Sequence, residues 1–217
     1  MATFIHCKNP LSEDLGDQLK AIPECPGTCI FIDIINSTDL KYRAGIETWG
    51  RMLNNTFNFI SFLNNFPENI VKGIGDEMML YIPDSELRQK KDINSYFALL
   101  GEIFATLDNI KNHPLPDLFL QCKVAIHHST DVYNITFLKG ANDYYGRGID
   151  LSARFMQKGR PNRIVMSQDF YELVLADAQE VGKADTDAML KMVSPIYHED
   201  FKGVPFPVAY RFIDLNN

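Results

Sequence analysis

Two acidic residues stand where acidic residues are costly. Cys29-Ile30-Phe31-Ile32-Asp33-Ile34-Ile35 reads as a short buried strand broken by one carboxylate. A charge in such a strand must be paired or hold a metal. Ile70-Val71-Lys72-Gly73-Ile74-Gly75-Asp76-Glu77-Met78-Met79-Leu80-Tyr81-Ile82 reads as a β-hairpin that Pro83 ends, with Asp76 at its turn. Gly and Asp tolerate the backbone angles of that turn, and taken alone Asp76 is only a turn former. Its strands, however, are too apolar for a surface ribbon, which places the carboxylate at the edge of a core. Directly after Asp33, Asn36-Ser37-Thr38-Asp39 has the residue types of a helix start. The free N–H groups of a helix N-terminus suit phosphate. Asp33 and Asp76 beside that cradle would make a two-carboxylate, two-metal centre acting on a phosphate compound.

The elements that must position these groups follow from periodicity. Trp49, Leu53, Thr56, Ile60 and Leu63 step at four-three-four-three, the buried face of a long helix that Asn64, Asn65 and Pro67 end. The Asp76 hairpin comes next, and residues 83–92 form a polar loop. A second helix begins near Asn94 with Tyr96, Leu99 or Leu100, Ile103 and Leu107 on its face, closed by Pro114 and Pro116. Leu118 to His127 is another strand, with residues 132–138 expected as its hairpin partner. The order β-α-β-β-α-β is the ferredoxin-like arrangement of an α+β fold. It sets the first and third strands side by side, so the end of the Asp33 strand and the Asp76 turn become neighbours. A C-terminal extension adds a helix over 149–156, a strand over 163–166, a helix from Ser167, a polar loop at 183–187, and two closing strands near 194–198 and 208–213. Residues 1–28 read as an arm: Leu15, Leu19 and Ile22 predict a short helix capping the core edge before Pro23, Pro26 and Gly27. The catalytic domain then spans 29–217.

The 217 residues suffice for one α/β domain, and a net charge of −7 argues against a broad nucleic-acid or anionic-membrane surface. No apolar run approaches the roughly 20 residues of a membrane span. Residues 1–10 lack the apolar core of a signal peptide, so a cytoplasmic protein is expected. Cys7, Cys25, Cys29 and Cys122 show no C-x-x-C pair and read as free thiols. Gly73-x-Gly75 and Gly146-x-Gly148 each lack the third glycine of a dinucleotide fingerprint, and neither a P-loop nor G-x-S-x-G is present. His127 and His128 are adjacent on a strand, point to opposite faces and read as structural.

Four segments together resemble the catalytic domain of class III nucleotide cyclases over about residues 28–213. They are Phe31-Ile32-Asp33-Ile34-Ile35-Asn36-Ser37-Thr38, Val71-Lys72-Gly73-Ile74-Gly75-Asp76, Asp143-Tyr144-Tyr145-Gly146-Arg147-Gly148-Ile149-Asp150-Leu151-Ser152-Ala153-Arg154, and Phe201-Lys202-Gly203-Val204. The resemblance implies that Asp33 and Asp76 hold two Mg²⁺ or Mn²⁺ ions, with the Ile34 carbonyl as a further ligand. It implies that the amides of Ile35, Asn36, Ser37 and Thr38 cradle phosphates, that Arg154 meets charge developing at the α-phosphate, and that Lys202 meets the triphosphate. Lys72 and Asp143 would read the base. The family draws its metal residues from one subunit and its base and arginine residues from the other, which implies a homodimer with two interfacial sites. Asp150 departs from the pattern, standing where the family usually has an asparagine that orients the ribose.

A lysine and an aspartate at the base edge are the family's adenine pattern, but uracil, with an O4 acceptor and an N3–H donor, satisfies the same pair. The chain reads as a bare cyclase domain, similar to the stand-alone pyrimidine cyclases of bacterial antiphage (Pycsar) systems, which make cyclic UMP or CMP for an effector protein. The substrate expected is therefore UTP, with ATP as the alternative. Two further readings stand beside it. Gly75-Asp76-Glu77 faintly echoes the diguanylate cyclases, and a catalytically dead nucleotide-binding domain would keep the same fold.

Overall fold

Every residue of Gly27–Ile34 is buried except the half-buried Asp33, so this strand lies inside a sheet covered on both faces. The computed structural model describes residues 2–5, 13–60, 65–181 and 188–216. In chain order they form β1 (Thr3–Phe4), α1 (Glu13–Lys20), β2 (Gly27–Ile34), α2 (Ser37–Arg43), α3 (Ile46–Phe59), β3 (Ile70–Ile74), β4 (Glu77–Pro83) and α4 (Asp84–Leu87). Then come α5 (Tyr96–Lys111), β5 (Cys122–Ser129), β6 (Ile135–Thr136), α6 (Arg147–Phe155), β7 (Arg163–Ser167), α7 (Gln168–Val181), β8 (Tyr197–Glu199) and β9 (Val208–Asp214). The main sheet runs β3-β4-β2-β5-β7-β9-β8. Its first four strands are the ferredoxin-like core in the expected order, with β2 antiparallel to both β4 and β5. The C-terminal extension lengthens the same sheet by three strands.

Alternation along the strands sorts the core into two layers. Ile30, Ile32 and Ile34 face Leu99, Leu100, Ile103 and Leu107 of α5 and Phe170 and Val174 of α7. Cys29 and Phe31 join Met79, Tyr81, Ala125 and Val165 beneath Phe155 of α6 and Phe201. By the same period Asp33 belongs to this second face. α5 starts at a Ser95 cap, whose hydroxyl accepts the Ala98 N–H at 3.1 Å. No described helix is long and apolar enough to cross a membrane.

Several expectations shift. The long helix over 49–63 is α3; it ends at Phe59, and Leu63 lies outside the described residues, as do Cys7 and the 183–187 loop. Residues 132–138 do not pair with β5, whose two edges are taken by β2 and β7. Within that segment β6 instead runs parallel to β1, and Cys25 N–H donates to the Val132 carbonyl at 2.7 Å. The α1 helix forms as expected, but Leu19 stays 41% exposed, so α1 contributes little to the core edge. Cys25, Cys29 and Cys122 are free, and burial pushes the last two thiols up to about 12. His127 is buried against Phe155, and burial holds it neutral, its pKa lowered to about 3. On the opposite face His128 Nε2 meets Asp84 Oδ2 at 3.0 Å.

Candidate active site

The carboxylates meet as the topology requires. Asp33 sits opposite Glu77 in the β2–β4 register, and Asp76 is one residue back in the turn. Gly75 takes φ 69°, a conformation that a side chain would strain. At the end of β2, Asn36 takes φ 60° and swings the chain into α2. The buried Ser37 hydroxyl then donates to Asp76 Oδ2. Together Asp33, residues 34–39, Asp76 and Lys123 line a cleft of about 720 Å³. Each carboxylate faces one ammonium group: Lys123 Nζ lies 2.9 Å from Asp33 Oδ2, and Lys41 Nζ lies 3.8 Å from Asp76 Oδ1. Glu77, half-buried beside them, has its carboxyl pushed up by burial and then by the charge on Asp33.

One expectation about the cradle is corrected. The Ile35 N–H donates to the Gln121 carbonyl at 2.8 Å, where β2 leaves the sheet beside β5. It is not available for phosphate. Ser37 and Thr38 open α2, and first-turn amides have no intrahelical partner, so the cradle narrows to the Asn36–Thr38 stretch.

The donor set suits a hard divalent ion. It comprises two aspartates and the Ile34 carbonyl on an open cleft. Mg²⁺ is typically held by one or two carboxylates and finishes its shell on substrate phosphate and water. The polar side chains lining the cleft are carboxylates, hydroxyls, an amide and a lysine, oxygen-rich rather than the thiolate and imidazole set of a structural zinc site.

A second group sits elsewhere. Arg147, Asp150 and Leu151, with Arg154 one turn on, occupy the open side of α6, while Gly148, Ser152 and Phe155 are buried behind them. Gly148 is needed for that seating, since a Cβ there would come within 2.4 Å of the Ser129 Cβ. The turn at Lys202 and Gly203, the latter at φ 86°, closes a cleft of about 330 Å³ over this face. Asp150 therefore shares its cleft with Arg147, Arg154 and Lys202. That cationic setting offsets the cost of a carboxylate near phosphate.

The third group is a pair. Lys72 Nζ lies 2.9 and 2.8 Å from the two carboxylate oxygens of Asp143, and the Tyr144 N–H donates to the same Asp143 Oδ1 at 2.8 Å. Asp143 is nearly buried, its side chain 13% exposed, against 40% for Lys72. So the fold joins Asp33 with Asp76, Asp150 with Arg154 and Lys202, and Lys72 with Asp143. Neither cleft contains a member of the other.

Sequence reasoning missed Lys41, Lys123 and Tyr42. Lys123 was reachable in part, because alternation along its strand sets it on one face with Ala125 and His127; the register that brings it to Asp33 was not legible. Tyr42 lines the first cleft while 88% exposed, an exposed aromatic that only the structure reveals.

Comparison with known proteins bears on the family and the fold. The profile of the adenylate and guanylate cyclase catalytic domain matches residues 23–192. Among solved structures, the adenylyl cyclase CyaB from P. aeruginosa superposes with a TM-score of 0.64 at 20% identity, covering 88% of this chain and 94% of that one. The guanylyl cyclase Cya2 gives 0.66 at 15% identity, covering 88% and 93%. An adenylate cyclase from Trypanosoma brucei, solved in its monomeric state, gives 0.61 at 18% identity, covering 89% and 90%. At these identities the superpositions speak for the fold alone. Among curated protein sequences no relative was detected. The profile spans well over half of the chain, and the chain belongs to the adenylate and guanylate cyclase catalytic-domain family, the class III nucleotide cyclases.

Proposed function

We propose that this enzyme converts UTP to 3′,5′-cyclic UMP and pyrophosphate as a homodimer with two interfacial sites. The observation that carries the proposal is the pairing of Asp33 with Asp76 in one cleft while Arg154 and Lys202 are gathered in another. A single chain thus holds two incomplete halves, and a second copy completes them. The catalytic unit runs over 29–217, with the arm of 1–28 tied to it.

In the reaction the ribose 3′-oxygen attacks the α-phosphorus, the bond to the β-phosphate oxygen breaks, and the hydroxyl proton passes to solvent. Asp33, Asp76 and the Ile34 carbonyl would hold two Mg²⁺ or Mn²⁺ ions. Bound there, such ions lower the pKa of the 3′-hydroxyl and carry charge on the leaving pyrophosphate. Asn36, Ser37 and Thr38 orient the phosphates. Arg154 of the partner copy stabilises charge growing at the α-phosphate, and Lys202 holds the triphosphate. Asp150 accepts a hydrogen bond from the ribose.

Lys72 donates to uracil O4 and Asp143 accepts from N3–H. The same pair accepts adenine through N1 and N6, and that is the observation behind the second reading, an adenylate cyclase. The cyclic nucleotide is proposed to serve as a cytoplasmic second messenger for a cyclic-nucleotide-binding effector in antiphage defence. Incubation with each of the four nucleoside triphosphates and Mn²⁺ or Mg²⁺, with products identified by mass, tests the proposal. Cyclic UMP as the main product is expected; cyclic AMP as the main product selects the second reading.

A further inference from the structure

The residues that hold Asp143 in place come from an unexpected part of the chain. Asp143 ends a loop closed at its base by an antiparallel bridge between Tyr133 and Tyr145, with amide-to-carbonyl distances of 2.8 and 3.0 Å. Inside the loop the Asn134 amide donates to the Asp143 carbonyl at 3.2 Å and to Asn142 Oδ1 at 3.4 Å. Further support comes from β1 and the residues on either side of it. Three amides there donate into the loop: Ala2 to Asn142 Oδ1 at 2.9 Å, Thr3 to the Asn134 carbonyl at 3.0 Å, and Ile5 to the Thr136 carbonyl at 2.8 Å. Ala2, Ile5 and Ile135 are buried where these strands meet.

A two-residue strand pair has little stability of its own. Its value here is positional. Asn142 Oδ1 ties Ala2 to the residue next to Asp143, while Asn134 ties Thr3 to the carbonyl of Asp143 itself. We infer that Asn134 and Asn142, together with β1, are positioning residues for the base contact: the start of the chain fixes Asp143 against Lys72 and so sets discrimination among bases. This inference rests on the reading of Asp143 as a base contact. Asp143 meets only the part of the substrate that varies, so loosening its support should raise KM for the preferred base and leave the phosphate chemistry intact.

The test uses the full chain. Asn142→Leu keeps the size of the side chain and removes the acceptor. Asn142→Asp keeps the acceptor, because the bonds from Ala2 and Asn134 both end on the side-chain oxygen. Thr3→Pro removes the donor to Asn134 by a different route. Asn142 is exposed, so its replacement does not threaten the core. With UTP, CTP, ATP and GTP, Asn142→Leu and Thr3→Pro should each cut the ratio of kcat/KM between best and poorest base roughly tenfold, mainly through KM, with kcat for the best base within about twofold. Asn142→Asp should retain the wild-type ratio. Amide exchange of Tyr144 and Tyr145 should quicken in Thr3→Pro without any substrate present.

Asp143→Ala is the control. If it flattens base preference while Asn142→Leu and Thr3→Pro leave it intact, the positioning inference is overturned and the base reading stands. Equal slowing of all four substrates through kcat, or unchanged exchange at Tyr144 and Tyr145, likewise overturns it. If Asp143→Ala itself leaves the preference unchanged, the base reading fails and the inference falls with it.

Discussion

The two clefts are opposites in charge and in construction. The first carries Asp33 and Asp76, each faced by one lysine, and is built from turns at the ends of central strands. The second carries Arg147, Arg154 and Lys202 around the single carboxylate of Asp150, and is built from one helix and one turn. A metal-bound triphosphate needs both environments: oxygen donors for the cations and cations for the phosphates. Because each cleft supplies only one environment, the division argues for assembly more directly than either cleft does alone.

The sharpest way to break that division is to remove the first cleft's carboxylates. Asp33→Ala or Asp76→Ala should lower turnover by at least about 10³-fold, measured as cyclic nucleotide formed with Mn²⁺. Each also leaves one lysine, Lys123 or Lys41, without its partner carboxylate, which opposes cation binding further. Lys123 and Lys41 already match the two carboxylates, so neutralising both aspartates should bring little relief of repulsion. Near-normal turnover in either variant would remove the first cleft from the chemistry.

The second cleft answers to Arg154→Ala, which should slow turnover of every nucleotide by about 10²–10³-fold. Mixing that variant with Asp76→Ala tests the division itself. In a freely exchanged equal mixture half of the dimers are mixed, and one of the two sites in each is whole. Roughly a quarter of wild-type activity should return. No recovery, once exchange between subunits has been demonstrated, would place both clefts' residues in one chain's site.

The first cleft was the more legible of the two. Asp33 betrayed itself as a charge in an apolar run, Asp76 as an acidic turn between apolar strands, and the ferredoxin-like order alone is enough to bring them together. Gly75 and Asn36, with their positive φ, are residue types that accept it. What could not be read depended on register or on tertiary bonds. The Ile35 amide looked free because nothing local shows that Gln121 lies across from it. Residues 132–138 looked like a hairpin partner because pattern does not reveal that both edges of β5 are occupied. The second cleft became legible only through family resemblance, since Arg154 alone is indistinguishable from a surface arginine on a helix.

A smaller effect distinguishes how the clefts are supported. α6 seats Phe155 against the buried, neutral His127. An unfolded histidine titrates near 6.5, whereas burial holds this one neutral down to about 3. Between those values the unfolded chain takes up a proton that the native chain refuses. Its stability contribution is therefore full above pH 6.5 and lost as pH falls, by up to about 1.4 kcal/mol per unit. Denaturant titrations between pH 7.5 and 5 should show that slope, and His127→Gln should flatten it. An unchanged slope would show that a group other than His127 carries it.

The smallest effect concerns the base, where the two environments give no guidance. Lys72 lies on β3 and Asp143 in the loop before α6, and neither lines the clefts described above. Lys72→Met removes the proposed donor to uracil O4 and leaves the nearly buried Asp143 without its cation. A polar group of the base left unpaired costs on the order of 1–3 kcal/mol. For UTP, kcat/KM should therefore fall about tenfold or more, carried mainly by KM, and base preference should narrow. Arg154→Ala should instead leave relative rates among bases unchanged, because its proposed partner is the phosphates that all four substrates share. Measuring all four nucleotides against both variants separates reading from chemistry. Equal loss for every base in Lys72→Met would make Lys72 a structural partner of Asp143 and nothing more. A wild-type preference for ATP would overturn the pyrimidine assignment, while keeping the two-cleft architecture as an adenylate cyclase.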